Sequence, residues 1–207
     1  MVERGLDQIS IDLSNACDIS AFISTRLNEA SIDASLRNRV VASCFAVALD
    51  HYDAVLALFG RTPKIYSSAF ALMRLVFESY FRGMWLMYCA TDEQIKSFLD
   101  NTFELPKTPT MINVIEKTAN FEKKQLSTSY SSDWKNLCDY THTGALQVQR
   151  WNKSDSIEPN YSDDEVMEVI RFTRAYALLT AVSFAEAVIK NNELANEFLG
   201  KAKEIAL

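Results

Sequence analysis

Arg74, Glu78 and Arg82 stand at four-residue intervals within an otherwise apolar run, Leu-Met-Arg-Leu-Val-Phe-Glu-Ser-Tyr-Phe-Arg-Gly-Met-Trp-Leu. That spacing puts all three on one stripe of a helix, and Trp85 continues it. A charge buried without a partner is strongly unfavourable, so the stripe must pair internally, face a cavity or reach solvent. Two arrangements satisfy this. One is an ion-pair ladder that fixes helix register. The other is a cationic pocket floor in which Glu78 orients two arginines, whose planar forks suit phosphate or carboxylate.

A second cluster is Cys-Asp-Tyr-Thr-His-Thr-Gly at 138–144, followed by Gln147, Gln149, Arg150 and Trp151. It gathers Tyr140, Thr141, His142, Arg150 and Trp151 within a dozen residues beside a glycine stop. His142 would sit at a helix C-terminus, where the dipole favours the protonated ring. A histidine there serves as a cap or a packing group, or, with Arg150 and Trp151, as part of a site. Trp151 either stacks on a planar ligand or covers a core edge. His51 lies in Asp50-His51-Tyr52-Asp53, where a helix lets it share a pocket with one neighbour at most. Glu186, flanked by Phe184 and Ala187, reads as a buried acid.

These residues imply anion chemistry. A bound nucleotide or similar small anion would lie on Arg74, Glu78, Arg82, Trp85, Tyr140, Thr141, Arg150, Trp151 and His51. In a catalytic version, metal-independent phosphodiester cleavage would use His142 as general acid or base, with an arginine stabilising the phosphorane. No metal and no cofactor is expected. Two histidines and four cysteines without a Cys-x-x-Cys pair supply a zinc site poorly. Glycine-rich phosphate loops, dinucleotide fingerprints, His-Glu-x-x-His, paired Glu-x-x-His and Gly-x-Ser-x-Gly are absent from the sequence.

The chain has 207 residues with five glycines and four prolines, roughly a third of the average share. So few turn residues exclude sandwiches, barrels and repeat arrays. Hydrophobic content of 48% with 23% charge excludes a disordered chain. A net charge of −6 without a basic run excludes nonspecific nucleic-acid binding. The polar N-terminus lacks a signal core, and the longest uncharged runs, Val40–Leu49 and Ala175–Ala185, fall far below the roughly twenty residues of a membrane span. A soluble cytoplasmic protein is expected, with Cys17, Cys44 and Cys89 as buried thiols in apolar stretches.

The expected fold is all-α: one domain holding an antiparallel bundle of four long helices with shorter inserted helices and no significant sheet. Apolar spacing predicts helices over 6–30 and from a cap at Ser31 or Asp33 to Phe59, closed by a left-handed Gly60. Thr62-Pro63 should open a third helix running from about 64 to 90. Thr91-Asp-Glu-Gln94 and Ser162-Asp-Asp-Glu165 are capping boxes, the second opening a helix to about Lys190. Shorter helices are expected from Thr108-Pro109 to near Asn120 and over 132–142, stopped by Gly144. Residues 143–160 are the least regular, and 192–206 form the last helix. The 91–160 stretch would be an elaboration that builds the site.

Several strings resemble an uncharacterised family of bacterial proteins of about this length. They are residues 67–86, Cys-Ala-Thr-Asp-Glu-Gln at 89–94, 138–144, Gln-Val-Gln-Arg-Trp at 147–151 and Ile-Glu-Pro-Asn-Tyr-Ser at 157–162. The likeness covers most of 40–175 and implies no activity. The long helices are also similar to the HEPN-like bundles of bacterial defence and toxin–antitoxin systems, which would imply RNA cleavage. Those enzymes carry an arginine and a histidine on one helix with four to six residues between them. No arginine precedes His51 or His142 at that spacing, so no catalytic residue carries over.

The sequence therefore favours a binding or regulatory module for a small anion or nucleotide. The alternatives are a HEPN-like endoribonuclease and an oligomeric interaction protein, a homodimer using apolar faces of the first and last helices.

Overall fold

The computed structural model describes residues 2–118 and 124–206. The helices are α1 (Val2–Asn28), α2 (Leu36–Gly60), α3 (Tyr66–Tyr88), α4 (Asp92–Leu99), α5 (Thr108–Ile115), α6 (Gln125–Thr141), α7 (Ala145–Gln149), α8 (Asp163–Ser183) and α9 (Asn192–Ala206). A π-helical turn, Phe184–Ile189, continues α8. Among the described residues, the extended pairing is one isolated bridge between Asn152 and Ile157. The fold is all-α.

Ring contacts give the helix directions. Phe45 meets Tyr80 and Phe59 meets Phe70, so α2 and α3 are antiparallel, as their short link requires. Tyr66 stacks on Tyr161, while Phe77 meets Phe172 and Tyr176 further on, so α8 runs in the same direction as α3. The reversal between them is made by α6, which places Trp134 near Phe77 and Tyr140 near Phe70. The four long helices α1, α2, α3 and α8 thus share one core, and α4 to α7 form the return path, with α5 and α6 against α3 and α4 against α2.

The helix starts and stops follow local chemistry. Both expected capping boxes form, with Thr91–Gln94 and Ser162–Glu165 each exchanging two bonds. At α2 the cap is Ser35 rather than Ser31 or Asp33. The Ser35 hydroxyl accepts from the Asn38 N–H, while Asp33 accepts from Ser35 and from the Asn38 amide. Gly60 is the last residue of α2 but takes no left-handed conformation; the chain leaves through extended Arg61. Thr62-Pro63 lies in the bend, and α3 starts later, at Tyr66, without a side-chain cap. Packing of Tyr66 and Phe70 against Phe59 and Tyr161 fixes that start instead. The expected end of the fifth helix near Asn120 lies outside the described residues; α5 itself ends at Ile115.

α6 begins at Gln125, earlier than expected. The carboxylate of Glu116, at the end of α5, accepts from the Ser127 N–H at 2.8 Å and its hydroxyl at 2.7 Å. This cap comes from outside the helix and offsets the weak helix propensity of its serine-rich start. Gly144 is the extended N-cap of α7. Left-handed Thr143, φ 55°, makes the stop assigned to Gly144 from sequence. A Cβ on Gly144 would lie 2.9 Å from the Asp139 Cα, so glycine is needed there for space.

Cys17 is exposed and Cys44 and Cys89 are half-buried, so the expected fully buried thiols are not found; all four cysteines are free. α2 and the α8 segment through Ile189 are long and apolar enough by length and composition to cross a membrane. In the second, 67% of the most apolar stretch is buried in the bundle, as a core helix requires. The apolar faces of α1 and α9 meet within the chain, where Phe22 packs edge-on against Phe198 at 5.7 Å.

Candidate functional site

The α3 stripe is a paired set on the wall of a cavity. Glu78 is 8% exposed and accepts from Arg74 Nε at 2.8 Å and, more loosely, from Arg82 Nη2 at 3.4 Å. The two arginines differ sharply in environment: the Arg74 side chain is 18% exposed and that of Arg82 50%. The Arg74 guanidinium lies 4.7 Å above the Trp134 ring, close enough for a cation–π attraction. Its Nη1 contacts His142 Nε2. A guanidinium has donors and no lone pair, so the imidazole nitrogen is the accepting partner in this contact.

This stripe faces a cavity of about 600 Å³ between α3, the 98–111 segment and α6. Arg74, Arg82 and Lys107 bring cations to its wall, against Glu78 and Glu104. Phe98, Phe103, Tyr130 and Trp134 supply aromatic surface. Tyr130 and Trp134 stack at 4.9 Å, one helical turn apart on α6. Trp85 is 5% exposed and lies behind this wall, stacked on Phe103 at 6.2 Å. It supports the cavity without lining it.

The second sequence cluster is divided by α6. His142 joins Arg74. Tyr140 and Arg150 instead line a separate cavity of about 260 Å³, with Glu165, Glu168 and Asp133. There Arg150 Nε donates to Glu165 at 2.6 Å, and the same carboxylate completes the α8 capping box. Burial, and then the Glu165 carboxylate, push the Tyr140 phenol up to about 12. Thr141 donates to the carbonyls of Leu137 and Ala71, tying α6 to α3. Trp151 Nε1 donates to Ser67 Oγ at 2.6 Å, and Gln147 donates to the Ser67 carbonyl. These two residues fasten the 145–151 segment to the start of α3.

His51 is half-buried on α2 and lines neither cavity. Its neighbour Tyr52 is fully buried and donates to the Ala16 carbonyl. Glu186 is exposed, because the π-turn carries it to the surface while Ala185, Ala187 and Val188 face inward. Sequence reasoning missed Tyr130, Trp134 and Lys107. Tyr130 and Trp134 do carry a signal, a four-residue spacing, but the predicted helix began after Tyr130.

Residues 45–206 match DUF6988, described as a family of unknown function. The chain belongs to this family. The match takes in α3, the whole return path, α8 and α9, and so every wall of both cavities. The search of curated proteins and the search of solved structures each returned no match. Membership in DUF6988 agrees with the resemblance to an uncharacterised family and assigns no reaction.

Proposed function

We propose that this DUF6988 protein is a non-catalytic binding or regulatory module holding a small anionic, nucleotide-like ligand in the cavity between α3 and α6. The observation that carries this reading is Arg82. It is half exposed, held by Glu78 only at 3.4 Å, and turned toward a cavity that also offers Lys107 and a stacked Tyr130–Trp134 pair. A guanidinium so placed keeps most of its donors for a phosphate or carboxylate. The indole and phenol faces suit a planar base. Four free thiols support a reducing, cytoplasmic setting for this role.

Thermal shift against a panel of nucleoside monophosphates and diphosphates tests it. Binding to the folded state raises the melting temperature by mass action. The Arg82→Gln variant is expected to fold with a melting temperature near wild type and to lose the rise. A flat wild-type response across the panel, with folding intact, overturns the reading.

The Arg74–His142 contact favours a second reading, a metal-independent, HEPN-like endoribonuclease. An exposed imidazole beside a guanidinium has the parts of a general base and an electrostatic stabiliser. Under the leading proposal neither wild type nor His142→Ala cleaves RNA above background. Metal-independent cleavage by wild type that His142→Ala abolishes would establish the nuclease instead.

A further inference from the structure

Arg82 and Phe98 line two cavities at once. On one side lies the polar cavity described above. On the other is an apolar groove of about 400 Å³ between α2, α3 and α4, walled by Leu36, Val40, Cys44, Val47 and Leu99. Three of these carry unusual exposure: Leu36 at 37%, Val47 at 46% and Leu99 at 54%. Single exposed aliphatic residues are ordinary, but three around one concave surface mark a place that something apolar covers. Arg39 also lines the groove, so two arginine side chains border its apolar surface. The volume falls within the range of roughly 300–1,000 Å³ typical of small-molecule pockets.

We propose that the protein binds a single-chain amphiphilic phosphate, with the anionic group on Arg82 and the aliphatic chain in the groove beside Val40, Val47 and Leu99. The charge pattern selects this occupant. A guanidinium half in water accepts an anion without a large desolvation penalty, while the adjoining walls offer a chain the burial of its methylenes. Cys44 lies on the groove wall and reports on its occupancy. The proposal deepens the anion-site reading, because both place the anion on Arg82, yet the groove makes its own contribution and can be tested apart.

The test compares inorganic phosphate, AMP and decyl phosphate below its aggregation concentration, by calorimetry on the full chain. Decyl phosphate is expected to bind roughly tenfold or more tighter than inorganic phosphate, from buried methylenes. It should also slow iodoacetamide labelling of Cys44, read by peptide mass spectrometry. Leu99→Asp and Val47→Asp replace exposed side chains, so the variants should fold; each should remove the tenfold gain and leave AMP binding unchanged. Arg82→Gln should remove binding of all three probes. Decyl phosphate binding no tighter than phosphate, or leaving Cys44 labelling unchanged, overturns the groove proposal even where AMP binds. Silence toward AMP, with decyl phosphate still bound through Arg82, overturns the nucleotide reading and supports the groove. Binding to phosphatidic acid vesicles without binding of monomeric decyl phosphate, or a dimer abolished by Val47→Asp, assigns the groove to a membrane or a second copy and overturns it.

Discussion

Glu78 sits between two guanidiniums of unequal solvation, and this inequality sets what its removal does. A carboxylate bridging two fully buried arginines would leave both stranded, at a cost of about 3–5 kcal/mol. Here Arg82 is half in water, and Arg74 retains His142 and the Trp134 ring. Glu78→Ala is therefore expected to destabilise the protein by about 1–3 kcal/mol, read from urea midpoints at constant slope. A loss above that range would mean the stripe is a structural ladder. The spacing of Arg74, Glu78 and Arg82 was legible in the sequence because four-residue periodicity is a local property. The meeting of Arg74 with His142 depends on how far α6 travels down α3. The separation of Arg150 from the stripe depends on a capping carboxylate, Glu165, that no local pattern pairs with it.

At the level of elements, Gly83 allows α2 and α3 to lie close. A Cβ there would press into the Phe45 ring, which is fully buried and confined by Tyr80 and Phe184. Gly83→Ala gains helix propensity of about 1 kcal/mol but overpacks the contact by about 1–3 kcal/mol. A net loss of about 1 kcal/mol is expected in thermal or urea melts, and a gain would show that the ring yields freely. Long helices with apolar stripes were readable, as were the two capping boxes, whose bonds span three residues. The start of α6 was not, because Glu116 caps it from another helix. The start of α3 was misplaced for a similar reason: aromatic packing, not Thr62, decides it.

Across the whole molecule, the first and last helices are joined. Phe198 is fully buried against Phe22, and Arg26 reaches Glu197 with two hydrogen bonds. Phe198→Ala is expected to cost about 3–5 kcal/mol. If α9 belongs to the common core, far-ultraviolet and fluorescence transitions of the variant will still coincide; separated transitions would make α9 an independent unit. Composition was enough to establish the all-α class. The direction of α8 relative to α3 was not readable, since it follows from the route taken by the intervening residues. That route makes α6 a partition between two chambers, with Tyr130 and Trp134 on one side and Leu137 and Tyr140 on the other. Because one helix walls both chambers, a substitution that displaces α6 alters the two cavities together.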